Sequence, residues 1–158
     1  MIMRNCIASL LMLLLLTASA YAQKSVQTSP IDSLDGIGIG TNLEEARSKL
    51  ARMGTGGGRD TRDGGRKEAW TLKETDFATL AFKTNGGGRI VWISAFVRPG
   101  KEIHFARFGD PTKATTLTKS QAIWNVGSGR GGYRLVAKGA EGRATVVYLL
   151  SLDFPEIE

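Results

Sequence analysis

The sequence predicts an α+β fold, in which an antiparallel sheet of duplicated three-strand meanders carries one or two helices on one face. Three observations lead to this prediction. One segment has apolar residues at helical spacing between good capping residues, whereas most of the remaining chain alternates with the two-residue period of strands. Glycine-rich turns separate the strand-like runs. These runs fall into two sets of three with related spacing.

The strong helix signal follows a glycine-rich stretch. Asn42 with Glu45, or Thr41 with Glu44, matches the capping-box pattern of a helix N-terminus. Gly54 is the residue type that ends helices, so we expect the helix to stop there. Four apolar side chains share one helical face and should pack on the sheet: Leu43, Ala46, Leu50 and Met53.

Six runs have the composition of strands: residues 68–73, 77–83, 89–98, 121–126, 133–138 and 143–152. Between the helix and the first strand, residues 54–66 combine six glycines with arginine and aspartate. Because glycine loses the most entropy on ordering, this segment is predicted to be a flexible loop. Asp110 and Pro111 match the N-cap and first position of a second helix, although the threonine-rich continuation favours helix only weakly.

The two sets of strands also resemble each other in detail. Trp70 opens the first set and Trp124 the second, and a lysine follows each tryptophan at nearly the same separation. We therefore predict pseudo-repeats at about 36–98 and 108–152 within a single domain that spans 36–158. Chance similarity between two β-meanders is the alternative, because short strands look alike.

Part of this pattern resembles a known family. A glycine-led turn at Gly40-Thr41-Asn42, a capped helix with Glu45-Ala46 and Leu50, and a three-strand meander are similar to the SmpA/OmlA-type envelope lipoprotein domain. The tandem arrangement resembles the β-lactamase inhibitory protein fold, which is that unit duplicated. The resemblance implies the fold and an envelope compartment. The chain departs from it by lacking the lipobox cysteine and the bracing cysteines, and by having Ala46 where the family prefers a β-branched residue.

The N-terminus has the pattern of a secretory signal peptide. An arginine precedes the uncharged apolar run 7–16, and Ala20-Tyr21-Ala22 matches a cleavage site. We predict a signal peptide at 1–22, a flexible leader at 23–35, and an exported chain, periplasmic or secreted, with no transmembrane segment. The single cysteine, Cys6, lies in the signal peptide, so the mature chain is expected to have no disulfide.

Composition argues against several chemistries. The net charge of +6 is spread along the chain rather than clustered, which does not favour specific nucleic-acid binding. His104 is the single histidine, and neither a zinc-ligand spacing nor a G-x-S-x-G elbow is present. The glycines of residues 127–132 match a dinucleotide fingerprint, but strand-like runs flank them, so a hairpin loop is predicted. We therefore assign no catalytic residue, cofactor or metal.

The longest strands place large apolar groups on both of their faces. Trp92, Phe96 and Tyr148 are the candidate binding residues. Burial is favoured for Trp92 and Phe96, with Tyr148 partly exposed, whereas an exposed platform for a partner is the alternative. The predicted function is an exported, non-catalytic protein that binds another macromolecule, such as an envelope or extracellular protein. The alternative is a small secreted enzyme or small-ligand carrier with a pocket near the glycine-rich segment 54–66.

Overall fold

A computed structural model describes residues 29–129 and 131–153, and the predicted signal peptide at 1–22 lies outside these residues. The elements are β1 (Ser33–Leu34), β2 (Ile37–Gly38), α1 (Leu43–Met53), β3 (Gly54–Asp60), β4 (Arg66–Leu72), β5 (Phe77–Thr84), β6 (Ile90–Val97), β7 (Ile103–His104), β8 (Thr116–Leu117), β9 (Gln121–Val126), β10 (Tyr133–Ala140) and β11 (Arg143–Ser151). In this part of the chain, no helix has the length and apolarity needed to cross a membrane.

Nine of the strands form one antiparallel sheet. Eight of them lie in the order β3-β4-β5-β6-β11-β10-β9-β8, and the ninth strand, β7, pairs with β11. β1 and β2 form a separate hairpin. Strands β6 and β11 meet at the centre, where Phe96 lies opposite Val146 and Trp92 opposite Leu150. The predicted α+β class is confirmed, and all six predicted strands are present with shifts of a few residues at their ends.

Helix α1 forms as predicted and ends at the predicted residue. The Asn42 side chain accepts a hydrogen bond from the Glu44 N–H at 2.9 Å, one residue earlier than the capping-box pattern implies. At the other end, the Gly54 N–H donates to the Leu50 carbonyl. Ala46 and Leu50 are fully buried, so the apolar face of α1 packs against one face of the sheet, which we call the inner face.

The predicted second helix does not form. Asp110 caps the Thr112 N–H and Pro111 follows, as expected, but only the short 3₁₀ turn Pro111–Lys113 results. Threonine has low helix propensity, and the chain instead forms β8, in which Thr116 pairs with Ile123 of β9. One α-helix therefore packs on the sheet in the described part of the chain.

The core lies between the inner face, α1 and the β1–β2 hairpin. Its largest fully buried side chains include Trp124, Phe82, Ile93, Leu135 and Leu149. The chain before the hairpin is also held here, since the Ile31 N–H donates to the Phe108 carbonyl at 2.8 Å and Leu34 is buried. Ile31 and Leu34, which belong to the predicted flexible leader at 23–35, thus pack on the core, and residues 23–28 of that leader lie outside the described residues.

The glycine-rich segment corrects the sequence prediction. Instead of a flexible loop, its first seven residues form the edge strand β3, paired with β4 from Gly54–Leu72 to Asp60–Arg66. The physical reason is steric, because β3 lies so close to β4 that Cβ atoms would collide with β4 carbonyl oxygens. This applies to Gly54, Gly56 and Gly58. The entropy of glycine is the reason to predict a flexible loop, but the close pairing of β3 with β4 requires glycine.

Candidate functional site

The face of the sheet opposite α1, here called the open face, carries the three candidate binding residues. Phe96 is 47% exposed, and Trp92 and Tyr148 are partly exposed. The expected burial is therefore wrong for Phe96 and incomplete for Trp92, whereas the partial exposure of Tyr148 is confirmed. The reason is that Ile93 and Ala95, on the inner face of the same strand, already supply the core contacts of β6.

The three aromatic side chains belong to one apolar strip across β6 and β11. The Trp92 and Tyr148 ring centroids lie 6.5 Å apart with an interplanar angle of 41°. Val146 pairs with Phe96 and Leu150 with Trp92, and both are partly exposed. The apolar strip is thus continuous, and its most exposed member is Phe96.

Cationic side chains flank the apolar strip on both sides. On the open face they are Arg59, Lys67 and Lys83 of β3–β5, and Arg134 and Lys138 of β10. The Lys138 Nζ lies 6.0 Å from the centroid of the Tyr148 ring. Asp60 and Glu68 are the two acidic residues of the described sheet strands. The alternation of side chains along each strand places both of them on the inner face. The strands therefore give the open face positive charge without carboxylates.

Three of these cations form a row of direct cross-strand neighbours, which we call the cationic row. Arg59 lies opposite Lys67, Lys67 opposite Lys83, and Lys83 opposite Trp92. The Lys83 Nζ donates to Asp63 Oδ2 at 2.6 Å. That hydrogen bond, with a second from the Thr61 hydroxyl, holds the pKa of Asp63 well below its usual range. In the described ranges, Arg59 and Lys67 have no ion-pair partner.

A groove of about 610 Å³ lies along the cationic row. Gly57, Ala69 and Ala81, which are cross-strand neighbours on β3–β5, provide small residues in its lining. Trp92 and the cationic row lie at its sides, and the lining also includes Gly58, Glu68 and Phe82. The groove thus combines an aromatic side chain, a floor without large side chains and a set of cations.

Beneath the groove, a buried ion cluster joins α1 to β4 on the inner face. Glu68 is 3% exposed, and its Oε1 accepts hydrogen bonds of 2.6 Å from both Arg47 Nη2 and Arg66 Nε. Its Oε2 accepts from the Trp70 indole at 3.1 Å. Burial alone would raise the pKa of Glu68, but these hydrogen bonds outweigh burial and lower it. The cluster fixes the backbone that forms the groove floor.

Sequence reasoning missed both the ion cluster and the cationic row. The available signal was the alternation Arg66-x-Glu68-x-Trp70, which sends a glutamate to the apolar side of β4. A buried carboxylate needs cations, and an arginine two residues away shares its face. The cationic row could not be found in the same way, because it depends on the register between three strands.

The described residues do not assemble the groups expected of an enzyme around His104. His104 is exposed on β7, where it pairs with Arg143, and its imidazole makes no hydrogen bond to a serine or carboxylate within the described ranges. No cluster of three His, Cys, Asp or Glu suited to a metal occurs in those ranges. The fingerprint-like glycines at 127–132 lie between β9 and β10, in the predicted hairpin position.

The open face has two adjoining parts. The apolar strip contains all three candidate residues, and the groove meets it at Trp92. Both parts lie on rigid strands rather than on loops, which favours specific recognition. Comparisons with protein-family models, with curated proteins and with solved structures find no match for this chain.

Proposed function

We propose that this chain is an exported, non-catalytic protein that uses its open face to bind an acidic protein in the cell envelope or outside the cell. The observation that carries the proposal is the 47% exposure of Phe96 inside the apolar strip. Aromatic side chains at the centre of an apolar patch are frequent hot spots of protein interfaces. The flanking cations, among which Asp63 neutralises Lys83, add positive charge, which attracts and orients an acidic partner.

Export rests on the signal-peptide pattern at residues 1–22 and is a separate part of the proposal. N-terminal sequencing of the exported chain should begin at Gln23. Retention of Met1 would contradict the proposed cleavage.

We also propose that the sheet arose from a duplicated unit of the SmpA/OmlA type. The support is topological, because β4–β6 and β9–β11 are each three consecutive antiparallel strands, and they meet at the β6–β11 pair.

The partner proposal is tested by capture on the immobilised mature chain, with a matched pair of surface variants. Phe96→Ser removes the exposed aromatic group from the open face. Leu117→Ser removes a side chain that is 52% exposed, but Leu117 pairs with the inner-face residue Ala122. We expect the parent chain and Leu117→Ser to capture the same acidic envelope protein, Phe96→Ser to lose it, and added salt to weaken capture. Equal capture by Phe96→Ser would refute the proposal.

A second candidate function is the carriage of a small ligand. The observation that favours it is the position of the groove, which lies beside the glycine-rich strand β3 and includes Gly57 and Gly58 in its lining.

A further inference from the structure

We infer that the groove is a binding site for a ring compound bearing a carboxylate, with Arg59 and Lys67 as the anion-binding residues. This inference rests on the second candidate function, and it does not require the protein partner proposed for the apolar strip. It specifies the ligand class from three properties of the groove: the charge of the cationic row, the shape of the floor and the aromatic residue at one side.

The groove has an unfavourable charge arrangement. Like charges directly opposite each other on neighbouring strands destabilise a sheet. Asp63 neutralises Lys83 at one end of the cationic row. Lys67, however, lies between Arg59 and Lys83, and neither Lys67 nor Arg59 has an ion-pair partner in the described part of the chain. An anion bound over Arg59 and Lys67 would turn this repulsion into two charge-assisted contacts.

The floor of the groove leaves room for a flat group. Gly57, Ala69 and Ala81 are small residues on three adjacent strands, so the floor extends over about 10 Å at the normal strand spacing. A Cβ atom at Gly57 would meet nothing within 4 Å, whereas one at Gly56 would collide with β4. The space above Gly57 is therefore open and is not filled by the packing of the protein.

Trp92 offers a contact surface for the apolar part of the ligand. Trp92 lines the groove and is partly exposed, so it offers an aromatic surface next to the cationic row. Planar rings pack well on such surfaces. The volume of about 610 Å³ lies in the range typical of small-molecule sites. A ring that contacts Trp92 while its carboxylate reaches Lys67 and Arg59 matches all three properties.

Ring compounds that bear a carboxylate include aromatic acids and acidic sugars, and titration calorimetry on the mature chain separates these two classes. The probes are 1-naphthoate and glucuronate, each paired with its uncharged methyl ester. We expect one acid to bind and its ester to bind at least tenfold more weakly, because the ester lacks the charge-assisted contacts. The acid that binds identifies the class. Failure of both acids to bind would overturn the inference.

Variants locate the binding within the groove. Lys67→Gln and Arg59→Gln should each weaken binding of the acid by about tenfold or more, and Trp92→Leu should weaken the acid and the ester together. Lys101→Gln, at an exposed residue outside the strands, makes the same charge change and should leave affinity unchanged. Equal affinity in the parent chain and Lys67→Gln would place the ligand elsewhere and overturn the assignment.

A second readout needs no ligand. Because Lys67 lies directly opposite Arg59, which is unpaired in the described ranges, Lys67→Gln should raise the melting temperature of the ligand-free protein, although it removes ligand affinity. Lys101→Gln should not raise it. A fall in the melting temperature of Lys67→Gln would refute the argument from repulsion. The two proposals fail separately, because Phe96, whose substitution tests partner capture, is not part of the groove lining.

Discussion

Glycine at position 56 is required by the pairing of β3 with β4, and the substitution Gly56→Ala tests this requirement. A Cβ atom at Gly56 would lie 2.6 Å from both Cα and Cγ of Trp70, and it would also collide with the Ala69 carbonyl oxygen. Because carbon atoms pack best at about 3.5–4.0 Å, the two strands would have to separate by roughly 1 Å. Trp70 cannot yield freely, since its indole donates to buried Glu68.

The expected magnitude follows from two opposing effects. Forcing an extra atom into a packed site costs about 1–3 kcal/mol. Replacing glycine by alanine also restricts the unfolded chain, which stabilises the folded protein by about 0.4–1 kcal/mol where the new side chain fits. Gly56→Ala should therefore lower the free energy of unfolding by about 1–2 kcal/mol. Gly57→Ala, whose Cβ meets nothing within 4 Å, should change it by about +0.4 to +1 kcal/mol.

Urea unfolding followed by far-ultraviolet circular dichroism measures both variants against the parent chain. The slope with urea should stay constant, so that the midpoints report stability directly. The two substitutions should change the free energy of unfolding in opposite directions, although the two glycines are adjacent in the sequence. If Gly56→Ala is as stable as Gly57→Ala, then β3 does not pair closely with β4, and the flexible loop predicted from composition would be the better description.

Three further predictions concern buried charge and exposure. Glu68→Gln should lower the unfolding free energy by about 1–3 kcal/mol at pH 7. Because the folded protein lowers the pKa of Glu68, acid weakens this contribution, so the difference in stability between parent and variant should be smaller at pH 3 than at pH 7. Asp35→Asn should raise the melting temperature at pH 7, because burial raises the pKa of Asp35 and Asn tolerates its φ of 49°. This gain in melting temperature should shrink at pH 3, where the aspartate is protonated, and an equal gain at both pH values would exclude a charge effect. Phe96→Ala should change the unfolding free energy by less than about 1 kcal/mol, whereas Phe82→Ala on the inner face of the neighbouring strand should lower it by about 3–5 kcal/mol. Denaturant curves that give similar losses for both variants would show that the open face is covered.

The elements that local pattern determines could be predicted from the sequence. Helix α1 was found because its apolar spacing, cap residue and terminal glycine act within one segment. β3 was missed because its stability depends on close approach to β4, and composition contains no information about that distance. The predicted second helix does not form for a local reason, because the low helix propensity of threonine outweighs a good N-cap.

The candidate site was predictable only in part. Alternation along β6 correctly placed Trp92 and Phe96 on one face. Whether that face is covered depends on how many helices pack on each side of the sheet, which is a property of the whole fold. The cationic row needs two registers at once, Arg59 with Lys67 and Lys67 with Lys83, and these follow from pairing rather than from composition.

The direct junction of α1 and β3 has a consequence for the dynamics of the sheet edge. α1 ends at Met53 and β3 begins at Gly54, so no connecting residue absorbs motion between them. The Lys73 N–H donates to the Met53 carbonyl at 2.7 Å and ties the junction to the end of β4. Edge strands ordinarily fray first, but β3 cannot peel from its helical end without unwinding the last turn of α1. Amide exchange at the start of β3 should therefore be as slow as that of the helix C-terminus.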